Sequence, residues 1–216
     1  MELIDVIGIL ATFVTIGSFL TGILICRNIY RRRSSDEFDS FPFVAGVLST
    51  YIWTRYGFIL NDHTMIFINS IGFVLQLSYL SWYFIYTPSK SRLKGRIWTL
   101  VAIITMVNFY MFFSSDSSDV IGTMASIASL IFCASPLASV TTVLRTKSTK
   151  TLPFPMIFAS FIVSSLWFTY GYLIDNIFVQ VPNAISTGIG LIQLSLFVFY
   201  PSNGGADMKK FKNKDF

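Results

Sequence analysis

Two tryptophans and two asparagines recur in the sequence with the same spacing. Trp53 precedes Asn69, and the pair Trp167 and Asn183 repeats this spacing after an offset of 114 residues. An amide group offers hydrogen-bond donors and an acceptor together, whereas an indole presents a broad apolar face. A hydroxyl-rich, uncharged molecule such as a sugar needs both kinds of contact. The four side chains therefore predict a site for a neutral polyol.

The residues around these side chains repeat at the same offset and without a gap. The segment 53–57 reads Trp-Thr-Arg-Tyr-Gly, and the segment 167–171 reads Trp-Phe-Thr-Tyr-Gly. A Trp, a Tyr, a Gly and an Asn in one register indicate two copies of a single structural unit.

Composition indicates that both copies lie in a membrane. The 216 residues are 53% hydrophobic and only 12% charged, whereas a soluble domain is nearer a quarter charged. Apolar runs of about 20 residues are long enough to cross the hydrocarbon core. The predicted spans are Leu3–Cys26, Phe43–Leu60, Thr64–Tyr86, Ile97–Phe113, Val120–Leu144, Pro155–Ile174 and Phe178–Phe199.

The basic residues predict the orientation of these spans. With seven spans, fifteen of the sixteen Lys and Arg residues fall on one side, in the segments 27–33, 90–96, 145–150 and 209–214. Basic loops face the cytoplasm. We therefore expect the N-terminus outside, the C-terminus inside, and a net charge of +5 that reflects membrane orientation and not nucleic-acid binding.

The orientation also fixes the relation between the two copies. Both must begin outside, so one additional helix has to lie between them. The chain is predicted to be an all-α membrane protein with seven transmembrane helices, arranged as two parallel three-helix repeats and a linker helix (3+1+3). The predicted parts are the first repeat 1–88, the inner loop and linker 89–119, the second repeat 120–201 and a flexible cytoplasmic tail 202–216.

Depth within the membrane favours a binding role for the repeated residues. Each Trp and each Asn lies about eight residues from a hairpin turn, or roughly 12 Å inside by helix rise. That depth is close to the middle of a core about 30 Å thick. Core packing of the tryptophans and helix–helix hydrogen bonds of the asparagines are the alternatives.

Helix-weakening residues form a second set. Pro136 lies inside span five, Pro42 and Pro153 precede spans two and six, and Gly22 in span one corresponds to Pro136 at the repeat offset. A proline removes a helix hydrogen bond and kinks its helix. These positions are either static kinks, which membrane helices tolerate, or hinges.

With these motifs the chain resembles the SWEET (MtN3/saliva) family of sugar transporters, in which the repeats are parallel. Further motifs that carry the resemblance are Phe41-Pro42-Phe43, Ser135-Pro136-Leu137, Lys147-Ser148-Thr149 and Leu152-Pro153-Phe154. The resemblance implies a sugar pocket lined by Asn69, Asn183, Trp53 and Trp167.

The resemblance also implies gates and hinges. Tyr56 and Tyr170 would lie near an outer gate, together with Asp175. The family often has Asp where this chain has Asn176, so the gate carboxylate is a departure from the pattern. The implied hinges are Gly22, Pro42, Pro136 and Pro153, with Gly22 standing where the family has proline.

Transport is predicted to be facilitative and bidirectional. It is also predicted to be uncoupled, because none of the eleven Asp and Glu residues falls in the middle of a predicted span. This disfavours a proton site more strongly than a sodium site, because carbonyls freed near Pro136 or Pro182 could bind sodium. The alternatives are a PQ-loop carrier of another solute such as an amino acid, which the absence of a Pro-Gln pair disfavours, and a heptahelical receptor. No enzyme is expected, because the only histidine, His63, falls in a predicted outer loop. No catalytic residue, metal or cofactor is implied.

The expected partners are a small neutral sugar, membrane lipid and further copies of the chain in a homo-oligomer. The plasma membrane is the expected location, with the Golgi or another endomembrane as the alternative. Arg55 is the one basic residue outside the inner segments. We expect it to pair with Asp5, Asp62 or Asp175, or else to extend its guanidinium to outer solvent.

Overall fold

The computed structural model describes residues 2–88, 90–114, 116–150 and 152–200, and every regular element within these ranges is an α-helix. The predicted tail, 202–216, lies outside the described residues. The helices are α1 Leu3–Leu20, α2 Gly22–Arg32, α3 Phe41–Leu60, α4 His63–Tyr86, α5 Ser91–Phe113, α6 Ser118–Ile131, α7 Ala134–Thr146, α8 Phe154–Leu173 and α9 Ile177–Phe199.

The all-helical prediction is confirmed, but two predicted spans are each interrupted once. Span one, predicted as Leu3–Cys26, consists of α1 and α2 and continues to Arg32. Span five, predicted as Val120–Leu144, consists of α6 and α7. The second interruption lies just before Pro136, which has no N–H to bond the carbonyl four residues earlier. The first lies just before Gly22, a residue that weakens helices.

Most of the helices have the length and composition of membrane spans. In the part of the chain that the structure describes, six helical stretches are long and apolar enough to cross a membrane, with α1–α2 and α6–α7 each counted as one stretch. The helix α3 has 20 residues but is not among them. Its hydropathy is lowered by Trp53, Arg55 and Tyr56, which all fall in its second half.

The chain divides into two compact units that meet in the sequence between Ala128 and Ser129. In the first unit, α4 packs along α3 and against α1 and α2, while α5 packs against α3. In the second unit, α9 packs along α8 and against α7. In the first unit the third helix of the predicted repeat thus contacts α1, α2 and α3, and in the second unit it contacts α7 and α8. The division falls inside α6, and the 3+1+3 arrangement stays a prediction.

Side chains from four helices form a buried cluster in the first unit. Membrane helices associate through close packing and hydrogen bonds, because lipid removes the usual hydrophobic driving force. Here Tyr83 also donates its hydroxyl proton to Phe38 O at 2.7 Å, which ties α4 to the loop before α3. The buried members are Ile29, Phe43, Val47, Tyr79, Leu80, Tyr83, Leu93 and Leu100.

The loop after the first helical pair ends in equivalent contacts in both units. Ser35 N donates to Tyr86 O at 3.3 Å, where α4 ends. Thr149 Oγ1 donates to Tyr200 O at 3.2 Å, just after α9 ends. The repeat offset of 114 relates Ser35 to Thr149 and Tyr86 to Tyr200. The sequence repeat is therefore also a repeat of tertiary contacts.

Candidate functional site

The turn between α3 and α4 fixes the helix that carries Trp53 against the helix that carries Asn69. Asn61 adopts the left-handed conformation, with φ of 53°, which ends α3. Asp62 N donates to Gly57 O at 2.9 Å. The Asp62 carboxylate then accepts a hydrogen bond from Met65 N at 2.9 Å and caps the start of α4.

The turn between α8 and α9 has the same construction with different residues. Asp175 is the left-handed residue, with φ of 52°, and Asn176 N donates to Gly171 O at 2.9 Å. Asn176 Oδ1 accepts from Val179 N at 3.1 Å and caps α9. The position where the family often has Asp is therefore a helix cap, which Asn fills as well as Asp does. Asp175, the predicted gate residue, forms the turn itself.

The glycine of each Trp-x-x-Tyr-Gly segment lets the two helices approach closely. A Cβ atom at Gly57 would lie 3.1 Å from Ile66 N, and one at Gly171 would lie 3.0 Å from Gln180 N. Both distances are shorter than ordinary van der Waals contact. In each unit the repeated glycine therefore allows the helix that carries the Trp to pack closely against the helix that carries the Asn.

The two asparagines make the same hydrogen bond in both units. Asn69 Nδ2 donates to Met65 O at 2.9 Å, and Asn183 Nδ2 donates to Val179 O at 2.8 Å. Both side chains are half-buried. Within the described ranges, neither Oδ1 atom accepts a hydrogen bond. Each amide therefore keeps an acceptor oxygen and one N–H for a ligand hydroxyl.

Each tryptophan packs edge-to-face with the tyrosine three residues later. The ring centroids of Trp53 and Tyr56 are 5.9 Å apart, and those of Trp167 and Tyr170 are 5.4 Å apart. Tyr56 and Tyr170, the predicted gate residues, are only 1% and 4% exposed. Edge-to-face packing stabilises aromatic pairs, so each tyrosine holds its indole in a fixed orientation.

Comparison with known proteins identifies the family. The sequence profile of the family MtN3_slv, described as "Sugar efflux transporter for intercellular exchange", matches residues 5–91 and 119–204. The chain belongs to this family. The profile matches twice, once in each predicted repeat, and the two matches cover most of the chain.

Named relatives of this MtN3/SWEET chain come from animals and plants. The sugar transporter SWEET1 of Drosophila pseudoobscura is 34% identical over 91% of this chain and 89% of its own length. The sugar transporter SWEET1 of Caenorhabditis elegans is 31% identical over 92% and 66%. The bidirectional sugar transporter N3 of Medicago truncatula is 30% identical over 95% and 79%.

The fold of a SWEET protein is also the fold found here. A structure of a eukaryotic SWEET transporter matches with a TM-score of 0.83 and 26% identity, over 94% of this chain and 100% of that one. The resemblance to the SWEET family is thereby confirmed, and membership in a transporter family argues against an enzyme.

The predicted hinge prolines of this SWEET-family chain occupy different helix positions. Pro42 is the second residue of α3. Pro153 precedes α8 and is its N-cap residue, while Pro155 is the second residue of α8. The structural counterpart of Pro42 is therefore Pro155, which the sequence analysis missed because the two prolines differ from the repeat offset by one residue.

Arg55 does not form the predicted ion pair. Within the described ranges it makes no salt bridge, and its Nε atom is buried without a hydrogen-bond partner. Tyr51 lies one turn earlier on the same face of α3 and donates to Asn108 Oδ1 on α5 at 2.6 Å. Arg55 therefore lies on the α5 side of α3. The predicted pairing with Asp5, Asp62 or Asp175 is therefore wrong, and the Asp62 carboxylate caps α4 instead.

A second polar contact joins α5 to the loop before α3. Arg96 forms an ion pair with Asp39, and the same Nη1 atom donates to Ser40 Oγ at 2.6 Å. The hydrogen bond from Arg96 lowers the pKa of Asp39 below its usual value. The pair is therefore present at neutral pH and is lost only as the pH falls through that lowered pKa. Pro42 lies three residues after Asp39, so this contact holds the start of the helix that carries Trp53.

Proposed function

We propose that the chain is a facilitative carrier that moves small neutral sugars in both directions across a membrane. Family membership supports transport of sugars, and one relative is named a bidirectional sugar transporter. The observation that carries the proposal is the set of side chains that each unit presents by itself. Each unit presents an asparagine whose amide oxygen is available and a tryptophan fixed by a tyrosine.

In the proposed mechanism one sugar is bound by side chains of both repeats. Asn69 and Asn183 would each exchange hydrogen bonds with a hydroxyl group. The indoles of Trp53 and Trp167 would cover the apolar C–H faces of the ring. Such a site contains no net charge, so it suits uncharged sugars and disfavours acids and amines, whose charges would be left unpaired in the membrane. The lining of one pocket by all four residues is part of the proposal.

We propose that transport is not coupled to an ion gradient. Proton-driven carriers keep an ionisable group within the membrane, and the acidic residues that the structure describes fall at helix ends and in loops. The gradient of the sugar alone would then drive flux, while opening at Gly22, Pro42, Pro136 and Pro153 exposes the site to one side and then the other.

Proteoliposomes containing the purified protein test this function. Labelled glucose, fructose and sucrose are supplied outside, with protein-free liposomes as the control. We expect at least one sugar to enter until its concentrations are equal on both sides. A protonophore and replacement of sodium should leave the initial rate unchanged. Accumulation above equality, driven by an imposed proton or sodium gradient, would contradict uncoupled transport, and entry of none of the sugars would contradict the sugar class.

The orientation of the chain, the membrane in which it acts and its oligomeric state are also proposed. The distribution of Lys and Arg supports an extracellular N-terminus and a cytoplasmic C-terminus. We propose the plasma membrane as the site of action and a homo-oligomer as the functional form, both from the family resemblance.

Single cysteines provide a test of the orientation. Ser117, in the loop before α6, and Ser34, in the loop after α2, should lie on opposite sides of the membrane. In a variant lacking Cys26 and Cys133, Ser117→Cys should react with an impermeant maleimide in intact cells. Ser34→Cys should react only after permeabilisation. The reverse pattern would show that the orientation is inverted.

A further inference from the structure

The first helical pair of each repeat is broken once, at residue 21 in the first repeat and at residues 132–133 in the second. At the repeat offset the second break lies two to three residues earlier than the first. Between α1 and α2, Thr21 N donates to Ser18 O at 3.2 Å. Between α6 and α7, Cys133 N donates to Leu130 O at 3.0 Å. These bonds span three residues and replace the four-residue pattern of an α-helix. A backbone released from the regular ladder can bend more readily than the helix on either side.

In both units a buried side chain from the third helix reaches this break. Tyr79 on α4 donates its hydroxyl proton to Phe19 O at 3.2 Å. Gln193 on α9 donates from Nε2 to Pro136 O at 3.4 Å. Both side chains are 6% exposed, and the offset of 114 relates Tyr79 to Gln193. One position in each repeat therefore fastens the broken helix to the helix against which it packs.

The residue types at these positions depend on each other. A Cβ atom at Gly22 would lie 2.6 Å from Tyr79 Cδ2 and 3.0 Å from Tyr79 Cζ. Neither alanine nor proline fits there while the tyrosine ring is present. In the second unit Gln193 takes the place of the ring, and the position equivalent to Gly22 is Pro136. The two units thus contain alternative pairs, Gly with Tyr and Pro with Gln.

We propose that Tyr79 and Gln193 are positioning residues for the two hinges, and that Gly22–Tyr79 and Pro136–Gln193 are interchangeable hinge pairs. Each side chain holds the backbone at the break in place through one hydrogen bond to a carbonyl. The segments on either side of the break then turn about a fixed point during transport. This role rests on the proposed function, because it sets the rate at which the sugar site changes its exposure.

A hinge role predicts an effect on the maximal transport rate and none on the affinity for sugar. Tyr79 and Gln193 lie at the helix breaks and are not among the residues proposed to contact sugar. Loss of their hydrogen bonds should therefore lower the maximal rate and leave the half-saturating sugar concentration unchanged. One neutral hydrogen bond contributes a factor of about two to ten, which sets the size of the expected change in rate.

Tyr79→Phe removes only the hydroxyl group and tests the hydrogen bond. Hydrogen–deuterium exchange of the purified protein without sugar should become faster in the segment 18–24 and stay the same in α4. Proteoliposomes should show a maximal rate of glucose uptake lower by about two- to tenfold, with an unchanged half-saturating concentration. Unchanged exchange in the segment 18–24 would overturn the proposed role of Tyr79. This readout needs no transport, so it is independent of the proposed function.

The interchange of the pairs is tested by a double variant. Gly22→Pro alone should lower the midpoint of thermal unfolding in detergent, because the proline ring meets the Tyr79 ring. Adding Tyr79→Gln recreates the pair of the second unit and should restore most of the midpoint. Gly17→Ala is the matched control in the same helical pair, because nothing lies within 4 Å of a Cβ atom at Gly17. Its unfolding midpoint should equal that of the wild type or lie slightly above it.

The outcomes of these experiments distinguish the hinge proposal from the proposed transport function. A double variant no more stable than Gly22→Pro would overturn the interchange of the pairs. A changed half-saturating concentration in Tyr79→Phe, with an unchanged maximal rate, would place Tyr79 at the sugar site and overturn the hinge role. A wild-type protein that carries no sugar would contradict the proposed function, while the exchange and unfolding measurements would still decide whether the pairs hold the breaks.

Discussion

Asn69→Ala and Asn183→Ala are each expected to lower sugar transport by about five- to hundredfold. A sugar hydroxyl left without its partner in a buried site costs about 1–3 kcal/mol, which corresponds to that range. The half-saturating sugar concentration should rise for both variants, because each removes contacts with the bound sugar. Equal effects are expected, since both amides make the same hydrogen bond within their own helix.

The measurement is initial uptake of labelled sugar into proteoliposomes with equal amounts of protein. Asn28→Ala is a suitable control, because Asn28 is an exposed asparagine on α2. Thermal unfolding separates binding from folding, since each alanine also removes the bond from Nδ2 to the preceding turn. Normal uptake by both variants would leave the asparagines with only that structural role, and the proposed sugar site would have to be abandoned.

The parts of the structure that follow from local rules were predictable from sequence. Long apolar runs separated by polar turns form helices, and identical residues at one offset form identical hairpins. The repeat offset pairs Asn183 with Asn69, and in the structure both amide groups make the same hydrogen bond. The repeat relates Gly57 to Gly171, whereas their role in close helix packing is visible only in the structure.

Contacts between chemically unlike residues could not be predicted from the repeat. Tyr79 and Gln193 occupy one position, but an aromatic phenol and an amide give no match in a search for recurring residue types. The ion pair of Arg96 with Asp39 joins a helix to a loop across 57 residues of sequence. From the sequence, the positive charge of Arg96 predicts only the side of the membrane on which its segment lies. Arg55 shows the converse, since its charge suggested an acidic partner that the packing of α3 against α5 does not provide.

Gly57→Ala and Gly171→Ala are expected to destabilise the protein, with Gly171→Ala the more harmful. The added Cβ atom would meet a backbone nitrogen of the facing helix, Ile66 N at 3.1 Å or Gln180 N at 3.0 Å. A backbone atom cannot turn aside as a side chain can, so the two helices of the hairpin have to separate. Overpacking of this kind costs about 1–3 kcal/mol, and valine should cost more than alanine at both positions.

The midpoint of thermal unfolding in detergent measures the effect, and Gly188→Ala provides a control on α9. Nothing lies within 4 Å of a Cβ atom at Gly188. Alanine there should leave stability unchanged or raise it by up to about 1 kcal/mol, because alanine favours the helix over glycine. If Gly57→Ala and Gly171→Ala were as stable as this control, the close approach of α3 to α4 and of α8 to α9 would not be a requirement of the fold. The repeated glycine would then need another explanation, in the turn that follows it or in the tyrosine that precedes it.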